Sequence, residues 1–173
     1  MQSKPDPVAR ILAQWRRERP DLDVAPMGLI GRLSRLARLI QAEQERTFAR
    51  FGLNGATFDV LATLRRAGPP HALTPSRLID AMMITSGTAT NRIDQLEKAG
   101  LVARVPNPRD RRSTLVALTE AGRALVDEAV AAHVETQARL VAPLAPQERN
   151  ALEAALAAAL ARLERPDERQ DSR

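Results

Sequence analysis

Residues 104–122 of the chain read RVPNPRDRRSTLVALTEAG and decide the fold. Its first nine residues carry four arginines, two prolines and one acid, with a short apolar run on either side: Arg104, Arg109, Arg111, Arg112, Pro106, Pro108 and Asp110. A core segment would not hold that much charge, and prolines interrupt a helix. The pattern therefore predicts a charged loop between two β-strands, LVARV from Leu101 and STLVAL from Ser113.

Three short helices are predicted before this hairpin, over about residues 55–66, 75–82 and 86–99. Asn54 and Thr74 are suitable N-cap residues, Pro75 suits a first helical position, and Gly100 suits a helix end. Two short helices followed by a hairpin form a winged helix-turn-helix. The predicted fold class is therefore mainly α with a small β-hairpin.

Longer helices flank this lobe. One is predicted from about Leu29 to Phe51, after a short N-terminal helix, and two more from Thr119 to Val141 and from Pro146 to Glu164. The last carries leucines at a helical spacing that gives an apolar face wide enough to need a partner, at Leu152, Leu156, Leu160 and Leu163. Packing within one chain is the alternative. We expect an arm helix in 1–22, dimerisation helices in 23–54 and 119–165, a DNA-binding lobe in 55–118, and a flexible tail in 166–173.

The bulk composition favours a partner that carries phosphates. The 173 residues include 26 Lys+Arg against 21 Asp+Glu, a net charge of +5. Basic surfaces also occur on proteins that bind no nucleic acid, so this balance is only suggestive. The chain has no cysteine, which excludes disulfides and thiolate zinc sites.

An enzyme is not expected. The only histidines, His71 and His133, lack metal-ligand spacing to carboxylates, and no phosphate-binding glycine loop or nucleophile motif is present. His133 is interpreted as a helix-surface or interface residue. The N-terminus lacks the apolar core of a signal peptide, and the run AALAAALA from Ala154 is too short to span a membrane. We expect a cytoplasmic protein with no cofactor, metal or membrane partner.

The third short helix has the features of a recognition helix. Ala89, Ile93 and Leu96 share one side, and small, polar or basic residues cover the other. Asn and Gln can read adenine edges, whereas hydroxyls and lysine can hold phosphates. With the wing, the residues expected to contact double-stranded DNA are Ser86, Thr88, Thr90, Asn91, Arg92, Gln95, Lys98, Arg104, Arg109, Asp110, Arg111 and Arg112.

The arginines of the predicted loop suit DNA binding. A hairpin tip beside a recognition helix lies over phosphates or the minor groove, where a planar guanidinium fits well. Asp110 would be repelled by DNA unless it paired with an arginine, so its expected role is to orient Arg112. A solvated charged loop is the alternative.

The segment from Ala56 to Leu125 resembles the MarR family of transcriptional regulators. The resemblance rests on TSGTATNRIDQLEKAGLVAR and PRDRRSTLVALTEAGRAL, above all on Asp110, Arg112 and the Leu118-Thr119…Gly122 that follows. It implies a triangular homodimer whose terminal helices form the dimer region and whose two lobes hold a pseudo-palindromic operator. Repression with ligand-induced release is the corresponding expectation.

A finer resemblance is to the urate-responsive branch of that family. That branch holds an anionic purine with a trio that Trp15, Asp59 and Arg92 supply here. It also has an acid near the start of the preceding helix, where this chain has Arg77, with Asp80 a turn later. The resemblance implies a small anionic ligand, either urate or another purine or aromatic acid.

The residues alone leave other readings open. Arg92 lies near the apolar side of its helix, so its guanidinium can turn inward, where it needs an acid or an anion. Trp15 continues the Val8–Ile11–Leu12 stripe, so local packing is its alternative role. A ligand-independent DNA-binding regulator or an architectural protein is the alternative function, and a helical adaptor is a third class.

Overall fold

The computed structural model describes residues 6–82, 86–110 and 112–164. Within these ranges the elements are α1 (Pro7–Glu18), α2 (Ala25–Ala49), α3 (Gly55–Arg66), β1 (Ala72–Leu73), α4 (Pro75–Met82), α5 (Ser86–Lys98), β2 (Val102–Pro106), β3 (Thr114–Leu118), α6 (Glu120–Val141) and α7 (Pro146–Leu163). Arg111, the side chain of Ser86 and the predicted tail lie outside the described residues. In the part that is described, no helix is long and apolar enough to cross a membrane.

The predicted caps begin three of these helices. Asn54 accepts a hydrogen bond from the Thr57 backbone N–H (2.9 Å), and the Thr57 hydroxyl accepts one from the Asn54 N–H (3.0 Å). Thr74 and Thr119 cap α4 and α6 in the same way, through their hydroxyl oxygens. Because such caps satisfy otherwise unpaired N–H groups, short polar residues fix these boundaries locally.

The helix α2 begins earlier than the sequence predicts. Its first residue is Ala25, not Leu29, and it takes in part of the predicted loop. Pro26 lies in its first turn, where a missing N–H costs no hydrogen bond. The Asp23 carboxylate accepts a hydrogen bond from the Ala25 N–H at 3.0 Å and supports this earlier start.

The sheet has a third strand in addition to the predicted hairpin. The strand order is β1-β3-β2, all antiparallel, with Leu73 opposite Val116 and Arg104 also opposite Val116 on the other side. The loop that follows α3 brings β1 to the free edge of β3, where the Leu118 N–H donates to the His71 carbonyl at 3.1 Å. A strand of two residues is too short to show the alternation of apolar and polar residues, so the sequence does not predict it.

The chain divides into two compact units between His133 and Val134. The core of the first unit joins α3, α4, α5, the sheet and the first part of α6. Its most buried members include Leu61, Leu64, Leu78, Ile93, Leu96, Val116 and Val126. Ala89, Ile93 and Leu96 are all 3% exposed or less, which confirms the predicted inward side of α5.

The N-terminal helix packs on α2. Val8, Leu12 and Val24 form a small buried cluster. Asp6 accepts a hydrogen bond from the Val8 N–H and also forms an ion pair with Arg32 of α2 (2.5 Å). The arm is therefore attached by apolar contact and by one charged link.

The second unit contains the end of α6 and the whole of α7. None of the residues of α7 is buried, and its leucines are 38–84% exposed, namely Leu152, Leu156, Leu160 and Leu163. An apolar helix face left open in this way is typical of a surface that another helix covers.

Candidate nucleic-acid interface and adjoining cleft

The outer side of α5 is polar and exposed. Asn91, Gln95 and Lys98 are exposed, and the Gln95 side-chain amide donates to Asn91 Oδ1 at 3.5 Å. Thr88 and Thr90 are exposed on the same helix. Since the apolar residues of α5 are buried in the lobe, this side is free to approach the major groove of a duplex.

The tip of the hairpin, residues 107–113, presents Arg109 and Arg112, both exposed. Asn107 shapes this wing: its side chain donates to the Ser113 hydroxyl (2.8 Å) and accepts from the Arg109 N–H (3.0 Å). Asp110 accepts from the backbone N–H of Arg112 at 3.0 Å. Asp110 therefore contacts Arg112 through the main chain, as an aspartate does in a turn.

Arg104, predicted as a DNA contact, lies on β2 and faces α5. Its guanidinium forms ion pairs with Asp94, at 2.5 Å, and with Glu97. The hydrogen bond to Asp94 raises the pKa of Arg104. Both of these carboxylates belong to the recognition helix, so the charge of Arg104 is directed at the protein.

A cleft of about 640 Å³ opens between α2, α3, α5 and α6 in the first unit. Two residues of the predicted trio, Asp59 and Arg92, line it together, and both are half-buried. The other lining residues are Gln41, Gln44, Glu45, Phe48, Gly55, Ala56, Phe58 and His133. Arg92 of α5 therefore reaches the cleft, which Asp59 of α3 also lines.

One wall of the cleft is aromatic. The rings of Phe48 and Phe58 stack with centroids 4.1 Å apart, and the His133 ring lies 5.1 Å from each. Burial lowers the pKa of His133, so the imidazole is neutral at pH 7. Such a wall can stack on a planar ring.

Sequence reasoning missed His133 and Glu45. His133 is interpreted from the sequence as a surface or interface residue, but it is half-buried and follows Val126 and Ala129 at helical spacing along the buried side of α6. That spacing was a usable signal. No sequence signal pointed to Glu45. Both of its carboxylate oxygens accept from the Gly55 N–H at 3.1 Å, and this contact depends on the packing of α2 against α3.

The third residue of the predicted trio, Trp15, and the departure at Arg77 both lie elsewhere. Trp15 is 42% exposed on α1 and does not line the cleft of its own chain. Arg77, found where the resemblance led us to expect an acid, lines a separate groove with Arg109. The departure at Arg77 therefore does not alter the cleft that holds Asp59 and Arg92.

The chemistry of these sites is that of binding. In residues 6–82, 86–110 and 112–164 no cluster of histidine and acidic side chains could hold a metal ion. The cleft offers one cation, two acids and an aromatic wall, and α5 with the wing offers amides and guanidinium groups. These are the groups that recognise a planar polar molecule and a DNA duplex, respectively.

Comparison with known proteins agrees with this geometry. A model of the MarR family matches residues 51–113. The HTH-type transcriptional regulator PecS of Dickeya dadantii is 45% identical over 149 residues, which are 86% of this chain and 90% of PecS.

Two solved structures are also similar. A mutant of MarR from E. coli, in which one cysteine is replaced by serine, was solved in complex with operator DNA. It has a TM-score of 0.68 and 26% identity, and the match covers 79% of this chain and 95% of that one. BpsR of Bordetella bronchiseptica has a TM-score of 0.64 and 32% identity, over 73% of this chain and 89% of that one. Its structure concerns the regulation of its DNA binding by 6-hydroxynicotinic acid.

Proposed function

The chain belongs to the MarR family and is a DNA-binding transcriptional regulator, and from this premise we propose that it is a homodimeric repressor which a small anionic ligand releases from a pseudo-palindromic operator. The ligand class is a planar heteroaromatic acid, such as urate, another purine or a hydroxylated pyridine carboxylate. The ligand occupies the cleft that Asp59 and Arg92 line.

The position of Arg92 carries this proposal. Arg92 lines the cleft, while its neighbours Asn91 and Gln95 on the same helix are exposed, and we assign these two to the DNA contacts. A ligand that binds Arg92 better in one placement of α5 than in another changes DNA affinity by the same coupling free energy.

The chemistry of the cleft sets the ligand class. The Arg92 guanidinium suits a carboxylate or an enolate, and the Asp59 carboxylate suits a ring N–H donor. The half-buried rings of Phe58 and His133, packed against the buried Phe48, suit a flat heterocycle. BpsR, 32% identical, has its DNA binding regulated by 6-hydroxynicotinic acid, which belongs to this class.

The DNA contacts that we propose come from α5 and the wing. Asn91 and Gln95 read bases in the major groove, Lys98 and the threonines hold phosphates, and Arg109 and Arg112 reach the neighbouring groove. Ser86 and Arg111 stay in this set on sequence grounds. Dimerisation is assigned to α7 and to the exposed apolar residues of α1 and α2, such as Ile30 at 60% exposure.

The test is release of DNA at constant salt. A labelled duplex from the region upstream of the gene is bound by the protein, and fluorescence anisotropy follows the addition of urate or 6-hydroxynicotinate. The amide of 6-hydroxynicotinic acid is the matched neutral probe. We expect the acids to release the duplex and the amide to fail, because only the acids offer Arg92 a charge.

Asp59→Asn assigns the effect to the cleft. This variant keeps the shape of the side chain and lies outside the proposed DNA contacts, so operator affinity should stay the same. The ligand concentration for half release should rise about tenfold or more, as a charge-assisted hydrogen bond is weakened. An unchanged response of Asp59→Asn would place the ligand outside this cleft, and release by the amide as well would contradict an anionic ligand. If neither acid released the duplex from the wild-type protein, the ligand proposal would be overturned and a ligand-independent regulator would remain.

A further inference from the structure

The recognition helix carries two acids that a DNA-binding surface does not need. Asp94 and Glu97 lie on α5, which must approach a polyanion. Their partner is Arg104 on β2. The Arg104 guanidinium donates to Asp94 Oδ1 at 2.5 Å and to Glu97 Oε2, and the Arg104 backbone N–H donates to Glu97 Oε1 at 3.3 Å.

This contact joins α5 directly to the wing. A planar guanidinium with a fixed fork of donors holds two carboxylates in one geometry better than an ammonium could. The backbone bond from the same residue attaches the strand itself, not only its side chain. Arg104 lies in the middle of β2, so these bonds fix the angle at which the strand leaves α5.

The Arg104 guanidinium cannot bind a DNA phosphate and keep its ion pairs with α5 at the same time. If its guanidinium turned to a phosphate, Asp94 and Glu97 would remain as two unpaired negative charges beside the duplex. Like charges in that position oppose binding. With Arg104 in place, the local excess of negative charge is halved and both acids face the protein.

We propose that Arg104 is a positioning residue, which sets the distance and angle between the recognition helix and the wing so that Asn91 and Arg112 reach one duplex together. This inference rests on the DNA-binding role alone and is independent of the ligand. Arg104 is thereby removed from the direct DNA contacts that the sequence predicted.

The test uses Arg104→Ala combined with Asp94→Asn and Glu97→Gln, a variant locally more positive than the wild type. Operator affinity is measured by anisotropy over a series of salt concentrations, beside random DNA of equal length. Wild-type binding to the operator is established first, so failure of DNA binding itself is seen separately. Arg112→Ala is the control for a direct contact.

We expect the triple variant to bind the operator about tenfold more weakly, the size of one lost base contact. The slope of log affinity against log salt should match the wild type, and the ratio of operator to random affinity should fall. In Arg112→Ala the slope should drop by about 0.9, the value for one phosphate contact. A similar drop in the triple variant would show that Arg104 contacts DNA.

Wild-type affinity in the triple variant would also overturn the proposal, because Arg104 would then only neutralise the two acids. Arg104→Lys covers the case in which the triple variant does not fold, as judged by circular dichroism. Lysine keeps the charge but lacks the fork, so binding should stay weak and the operator preference low. Full rescue by lysine would contradict a positioning role.

Discussion

Gly122 of α6 lies against the carbonyl oxygen of Leu101, so closely that a Cβ at residue 122 would stand 1.9 Å from that oxygen. Two hydrogen bonds lie at the same junction. The Thr119 N–H donates to the Leu101 carbonyl (3.1 Å), and the Thr119 hydroxyl donates to the Gly100 carbonyl (2.8 Å). The end of the recognition helix is thus tied to the start of α6 through the carbonyls of Gly100 and Leu101.

Gly122→Ala should therefore destabilise the protein, since a backbone carbonyl cannot move aside as a flexible side chain can. We expect a loss of about 2 kcal/mol or more in the free energy of unfolding, measured by urea denaturation at one protein concentration. Gly87→Ala on α5 is the matched control. A Cβ there meets nothing within 4 Å, so stability should hold or rise. Equal stability of the two variants would contradict the close approach.

Local signals predicted most of this fold. Asn54, Thr74 and Thr119 cap helices with their own side chains, so the sequence within a few residues of each one sufficed. The burial of Ile93 and Leu96 followed from helical spacing in the same way. Features that depend on remote partners could not be predicted, and β1 is the clearest case because it pairs with β3, more than 40 residues along the chain.

In the candidate sites, too, features set by local sequence were predicted and features set by remote contacts were not. The spacing of α5 places Arg92 near its inward side, and the structure brings it to the cleft with Asp59. The charge of Arg104, taken alone, predicts a DNA contact. Its ion pairs depend on the angle between β2 and α5, which no periodicity reveals.

His133 should make stability depend on pH. Burial lowers its pKa, so the folded state resists protonation while the unfolded chain takes up a proton near the ordinary value of 6.5. The melting temperature should fall as the pH falls below about 6.5 and towards the lower folded pKa. The charged groups lining the same cleft are Glu45, Asp59 and Arg92.

His133→Gln should flatten this dependence, because glutamine does not titrate. Melting temperatures of both proteins, measured by calorimetry between about pH 8 and pH 5.5, give the comparison. Parallel curves for wild type and variant would assign the effect to other groups.

Asp6 should hold α1 to α2 through its charge. Its hydrogen bond with Arg32 lowers the pKa of the carboxyl below 3.8, so the link is present above that pH and is lost as the pH falls through the folded pKa. At pH 7, Asp6→Asn keeps a cap for the Val8 N–H but removes the charge. We expect faster hydrogen exchange of the α1 amides with little change elsewhere.

Arg32→Gln should have the same effect on α1, although it leaves the cap untouched. Both carboxylate and guanidinium are partly exposed, so high salt should reduce the difference from wild type. Faster exchange in Asp6→Asn alone would point to the cap instead of the ion pair.

The leucines of α7 should determine the oligomeric state. Leu156 is 39% exposed in the single chain, so Leu156→Asp would cost an isolated chain little. In a dimer that covers this face, the new carboxylate would have to be desolvated, at a cost of several kcal/mol. Sedimentation velocity should therefore show dimers for the wild type and monomers for Leu156→Asp.

Ala157→Asp is the control, since it adds the same charge one residue along and one turn after Glu153, away from the leucine stripe. If both variants were dimers, the dimer interface would not include the leucine side of α7. A monomeric wild type would contradict the binding of a pseudo-palindromic operator by the two lobes of a dimer.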